Sequence, residues 1–345
     1  MHCHYTRPGY YRSFDTVPIY EYDLEKNGVH LQPAFKAIQQ QGQGVTELLN
    51  QIPNHLLDHR WRGISLLSKA VLHRNIAAVE NLLQRGVDTT SCSQVFDQEG
   101  QQLRLETPLI TAARTGFVAG VEALTLAKAV LEMKDKTTGK TALHWACLHS
   151  FSREAVIVLA HFGADPNSRD KYLESPMAKV IRNKDTELVK VFLDCGFHLS
   201  QSVNYQNESA LIYAVSMGAV LIAKCLICAG CDTSVTDRYD NDILTVTLTS
   251  EILAPFEILD LVKMLLKAGA SVDASHVAKA KQKKLTEVAL MLALNLKNPP
   301  LLMAQCRRVI RKYLKLCSAD QCILPALETL PVPPLMLKYL ALLSA

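Results

Sequence analysis

Thr141-Ala-Leu-His-Trp-Ala146, followed by Gly163-Ala-Asp-Pro-Asn167, decides the fold of this chain. The first stretch recurs at an even interval, as Thr107-Pro-Leu-Ile-Thr-Ala112, Ser175-Pro-Met-Ala-Lys-Val180 and Ser209-Ala-Leu-Ile-Tyr-Ala214. These copies open at positions 107, 141, 175 and 209, a strict 34-residue step. Weaker copies open at Asp242 and, 42 residues before the first strong copy, at Ser65. The second stretch recurs as Gly86-Val-Asp88, Gly196-Phe-His198, Gly230-Cys-Asp232 and Gly269-Ala-Ser-Val-Asp273, each after an apolar helical run. A fixed period of this length is the mark of a stacked repeat. The Thr or Ser reads as a helix N-cap, its hydroxyl taking an orphan backbone N–H. Pro at the next position loses no hydrogen bond. The Ala six places in must be small, so that a paired helix lies close. Gly ends the second helix in a left-handed conformation that it adopts cheaply. Each unit is therefore expected to be a helix–turn–helix plus an outward hairpin.

The pattern of Thr141 to Ala146 with Gly163 to Asn167 resembles the ankyrin repeat, whose signature is T-P-L-H-x-A with a G-A-D turn. The resemblance implies an all-α ankyrin-repeat solenoid of about six units over residues 61–295. The unit at Thr107 departs from it, since Ala119 to Lys136 holds no Gly-x-Asp turn. The unit at Asp242 carries an insertion, and Ser275 to Asn295 reads as a terminal cap. Residues 1–60 are expected to form a partly disordered N-terminal extension, Tyr-rich at first and more helical from Ala34 to Leu57.

Composition narrows the function classes. The chain has 345 residues, 37 basic and 33 acidic, so its net charge is only +4. That argues against a duplex nucleic-acid binder, for which a basic stripe and a pI above about 9 are expected. No apolar run reaches the roughly 20 residues of a membrane helix, and the first residues lack a secretory core. The ten cysteines then read as reduced thiols of a cytoplasmic or nuclear protein.

The charge is concentrated at the end. Leu296 to Ala345 holds seven basic and two acidic residues, leaving 30 basic and 31 acidic elsewhere. After Pro299-Pro300, apolar Leu302, Cys306, Val309, Ile310, Tyr313 and Leu314 fall on one helical stripe. Arg307, Arg308, Arg311, Lys312 and Lys315 fall on the other side, read as a solvated face. A proline-punctuated turn, Leu330-Pro331-Val332-Pro333, precedes a second amphipathic stretch with Tyr339-Leu340.

Residues 296–345 resemble a SOCS box. Leu302-x3-Cys306-x3-Ile310 looks like its elongin-binding helix, and Leu330 to Pro333 like its cullin-selecting box. Val332 and Leu337 depart from the more usual Leu and Lys. An ankyrin array followed by a SOCS box defines the ankyrin repeat and SOCS box-containing family. By that resemblance Leu302, Cys306 and Ile310 bind elongin C, which pairs with elongin B. Leu330, Pro331, Val332 and Pro333 select cullin-5, which carries a RING protein, and the array binds an unknown target protein. The chain would be a non-catalytic adaptor without cofactor. A plain ankyrin scaffold, its terminal helices acting as a cap, is the alternative.

Other motifs are weaker. Cys225, Cys228 and Cys231 lack the second ligand pair of a structural zinc site and read as core thiols. His55-Leu-Leu-Asp58-His59 lacks the Glu of a zinc-enzyme motif. Gly139-Lys-Thr141 lacks the first Gly of a phosphate loop. His144 is expected to bond neighbouring backbone. For the target, hairpin tips offer Arg169 with Tyr172 and Arg238 with Tyr239, residue types frequent at binding hot spots. Ordinary exposed turn residues are the equal alternative there.

Overall fold

The computed structural model describes residues 31–40, 44–61, 63–96, 103–148 and 153–297 and, further on, 306, 309–314, 318, 321–330 and 334–341. Helices come in antiparallel pairs. They are α1 (Leu31–Gln40) with α2 (Val45–Asn50), α3 (Leu66–Leu72) with α4 (Ile76–Gln84), and α5 (Pro108–Thr115) with α6 (Val118–Leu126). Then come α7 (Ala142–Leu148) with α8 (Arg153–His161), α9 (Pro176–Arg182) with α10 (Thr186–Asp194), and α11 (Ala210–Ser216) with α12 (Val220–Ala229). The last are α13 (Ile243–Thr249) with α14 (Pro255–Ala268) and α15 (Ala274–Gln282) with α16 (Thr286–Lys297). Odd-numbered helices stack on one another in one layer and even-numbered helices in a second, giving a solenoid.

The caps explain where the first helices start. The side chains of Ser65, Thr107, Ser209 and Asp242 accept from the backbone N–H three residues on. Ser175 differs: its hydroxyl donates to the Val203 carbonyl at 3.3 Å and ties two units together. The small position six in is filled by Ala70, Ala112, Ala146, Val180, Ala214 and Thr247, each at most 1% exposed. Between the layers lie Leu82, Leu124, Leu159, Phe192, Leu226 and Leu265, all fully buried. Each such side chain contributes about 1.5–3 kcal/mol.

Every second helix from α4 to α14 closes with the same bond, from a backbone N–H to the carbonyl five residues back. The pairs are Val87 to Leu82, Ala129 to Leu124, Ala164 to Leu159, Phe197 to Phe192, Cys231 to Leu226 and Ala270 to Leu265. Between these residues the chain turns left-handed, at Gly163 with φ 90° and Gly230 with φ 100°. The unit that lacks its Gly makes the turn all the same, with Lys128 at φ 59°. Packing on both sides holds the turn, so the sequence signature vanished there while the geometry did not.

Three features lengthen or extend the array. The 42-residue first step accommodates an antiparallel hairpin, β3 (Ser93–Phe96) with β4 (Leu103–Glu106). A shorter one, β1 (Arg60–Trp61) with β2 (Ile64–Ser65), precedes α3. In the unit at Asp242, the extra residues sit in the turn before α14 and in α14 itself, which has 14 residues. Ahead of residue 61, where the period was lost, α1 and α2 pack on α3 and α4 as a further pair. Phe35, Ile38 and Leu49 join the common core, and the Arg85 guanidinium donates to the Leu49 and Ile52 carbonyls and to Asn54. That pair lacks both signature elements, which is why the repeat pattern did not extend to it.

Asx residues shape the hairpin tips. Asp135, Asp170, Asn204 and Asp237 each accept backbone N–H bonds from residues further along their own turn. They lie five or six places before a helix cap, a further element that recurs with the repeat.

Candidate protein-interaction surfaces

The C-terminal helices are α17, described at 306 and over 309–314, α18 (Leu324–Glu328) and α19 (Pro334–Ala341). Leu314, Ile323, Leu327, Leu340 and Ala341 form a small core of their own, with Leu330 packed half-buried against it. This core is joined to the array at α12. The Ile323 N–H donates to the Ala229 carbonyl at 2.9 Å. Arg311, 6% exposed, donates through Nη2 to the Ile227 carbonyl at 2.6 Å and the Cys228 carbonyl at 3.3 Å. Its Nη1 donates to the Leu340 carbonyl at 2.6 Å.

This corrects the sequence reading of α17. Arg311 is not part of a solvated basic face: it is buried on the C-terminal carbonyls of α12. Those carbonyls are the orphan acceptors of a helix end and carry its partial negative charge, so a guanidinium fits there. The signal in sequence was Leu314, three residues on, which shares the buried side. The apolar stripe is corrected as well. Cys306 is exposed rather than packed, as are Val309 (68%), Ile310 (38%) and Tyr313 (66%), and only Leu314 of the described stripe residues turns inward. The box thus docks on the array by one side of α17 and presents an apolar side outward. Leu302, Pro331, Val332 and Pro333 lie outside the described residues.

The nominated hairpin residues divide. The Arg169 guanidinium donates to the Ser202 carbonyl and hydroxyl, so it staples two neighbouring tips. Tyr172 is 61% exposed, with the Lys140 ammonium 5.0 Å from its ring centre. Tyr239 is 68% exposed, and Arg238 lies over its ring at 4.6 Å. The two tips are separate points on one edge of the array, two repeats apart, with the Asn204 tip between them.

His144 has a structural role. Its Nδ1 accepts from the Thr141 N–H at 3.3 Å and its Nε2 faces the Glu174 carbonyl at 3.1 Å in the next unit. Burial pushes its pKa down to about 4, so the ring is neutral and donates from Nε2. Asp135 loses solvation on burial, yet the Thr138, Thr137 and Trp145 donors hold its carboxyl down at about 2. Burial raises the Cys147, Cys225 and Cys228 thiols, leaving them un-ionised. Among the described residues no helix is long and apolar enough to cross a membrane.

Comparison with known proteins agrees with this architecture. Models of ankyrin repeats match residues 67–170 and 152–237, and a SOCS box model matches residues 298–341. An ankyrin repeat protein of fowlpox virus (strain NVSL), FPV031, is 29% identical over 150 residues, which cover 43% of this chain and 40% of the viral protein. The match therefore spans less than half of that relative. The crystal structure of the ankyrin repeat domain of Bcl-3 is similar in fold, with a TM-score of 0.54 and 23% identity, covering 68% of this chain and 99% of that one. Ankyrin repeats and the SOCS box are non-catalytic modules, and their combination supports a protein-interaction adaptor for a ubiquitin ligase. By its two matched modules and their order, the chain belongs to the ankyrin repeat and SOCS box-containing protein family.

Proposed function

We propose that this chain is the target-recognition subunit of an elongin B/C–cullin-5 RING ubiquitin ligase. The observation that carries this reading is the outward apolar side of α17, with Cys306, Val309, Ile310 and Tyr313 exposed beside buried Arg311 and Leu314. Leu302 extends that stripe in sequence and would enter an elongin C pocket with Cys306 and Ile310. Leu330 to Pro333 would meet cullin-5. The array would hold the target near the ubiquitin-loaded enzyme, raising its effective concentration.

The scaffold reading fits less well. A cap would cover the last helix pair, whereas the described box bonds to α12 and leaves Leu290 (63%) and Leu294 (51%) of α16 exposed. Co-expression with elongin B and C tests the proposal. The full chain should co-purify with both, and Val309→Asp with Ile310→Asp should abolish capture while far-ultraviolet circular dichroism stays unchanged. Undiminished capture by that double variant would overturn the reading.

A further inference from the structure

A cluster of positive charge lies on one edge of the array, at the tips of the units that start at Thr141 and Ser175. Lys134, Lys136, Lys140, Arg169 and Lys171 lie there, with Arg104 of β4 alongside. These tips are one surface: the Lys171 N–H donates to the Thr138 carbonyl at 3.0 Å, and Lys134 Nζ to the Arg169 carbonyl at 2.6 Å. The two units and Arg104 share an aromatic floor. The Arg104 guanidinium lies 4.8 Å from the Trp145 ring centre, and Lys140 Nζ lies 6.0 Å from Trp145 and 5.0 Å from Tyr172.

The carboxylates nearby are already engaged. Asp135 is 2% exposed and bound to Thr137, Thr138 and Trp145. Asp170 is 5% exposed and pairs with Lys140 at 2.8 Å. Glu106, two residues along β4 from Arg104, is fully buried against Arg114 at 3.0 Å and Thr111 at 3.2 Å. Arg104 is left over. Its Nε and Nη1 are shielded from water yet have no hydrogen-bond partner, and no carboxylate reaches ion-pair distance, among the described residues. A part-buried guanidinium in that state is expected to take up an acceptor from outside.

We infer that this edge binds an acidic peptide segment of the target, its carboxylates meeting Arg104 and the tip lysines and its backbone passing over the exposed Tyr172 ring. The inference rests on the array being the target-binding part. Lysines whose heads also bond carbonyls, a short patch and two countering aspartates favour a peptide over a nucleic-acid strand, which would track a longer continuous groove.

The test is fluorescence anisotropy with the full chain and a labelled dodecapeptide of alternating Glu and Gly, against its twin with Gln for Glu. The Glu peptide should bind, weakening steeply with added salt, and the Gln twin should not. Arg104→Gln should weaken binding by about tenfold or more. Lys136→Gln, a change of an exposed tip residue, should weaken it too and decides the matter if Arg104→Gln unfolds. Equal binding of both peptides, or unchanged binding by the variants, would overturn the inference. So would displacement by oligo-dT at lower concentration than by unlabelled Glu peptide. Elongin B/C capture by the same variants should stay intact, which separates failure here from failure of the adaptor reading.

Discussion

Arg311→Met should loosen the C-terminal box from the array without unfolding either. Methionine keeps most of the aliphatic stem and removes the guanidinium. Two bonds of 2.6 Å, to Ile227 and Leu340, and one of 3.3 Å, to Cys228, are lost. A hydrogen bond from a charged donor contributes about 1.5–3 kcal/mol. The Leu340 bond lies within the box, so only the bonds to Ile227 and Cys228 cross to the array, and counting those two at the lower end gives about 3 kcal/mol. One tenfold step is about 1.4 kcal/mol, so docking should weaken roughly a hundredfold. The Ile323 amide reports on it, because its N–H donates across the seam to the Ala229 carbonyl. Native-state hydrogen exchange should show its protection falling roughly a hundredfold. The Ala219 amide, bonded within the array to the Ala214 carbonyl, should keep its protection. Lys312→Met, at the exposed neighbouring position, should change neither. If Ile323 kept full protection in Arg311→Met, the guanidinium would not be what holds the box on α12.

Two further outcomes follow from the repeats themselves. His144 is 4% exposed, and its folded pKa of about 4 lies below the ordinary 6.5. Between those values the unfolded chain binds the extra proton, so stability rises with pH and this site loses about 3 kcal/mol as pH falls from 6.5 to 4. Urea unfolding at pH 7 and pH 4.5 should show a flatter pH slope for His144→Gln than for the parent, and equal slopes would refute the assignment. Lys128 holds φ 59°, a region where a side chain is strained. Lys128→Gly should raise stability by about 0.5–1 kcal/mol in a urea titration, and Lys128→Val should lower it; no gain with Gly would mean the turn is not strained.

Much of the molecule was legible before any coordinates. Repeats write themselves into sequence because each unit solves the same local problems: a cap at Thr107 or Ser209, a small residue at Ala112 or Ala214, a left-handed turn at Gly163 or Gly230. These are short-range demands, met by residue type. Where packing could meet the demand instead, the signature lapsed. Lys128 turns as a glycine does, and α1 and α2 cover the first pair through Phe35 and Ile38 without any motif.

The amino-acid sequence by itself determined the array, its period and the family of its terminal box. It also marked the helix that carries an apolar stripe. Which side of that helix faces the array and which faces outward was decided only in three dimensions. A helical wheel places Arg311 among the basic residues and Ile310 among the apolar ones, and the ordinary expectation buries the latter. The carbonyl end of α12 reverses this, because a helix terminus supplies acceptors and partial negative charge that a guanidinium satisfies at short range. Arg104 is the same case. Its surplus charge depends on Asp135, Asp170 and Glu106 being engaged elsewhere, a condition set by contacts that sequence spacing does not contain.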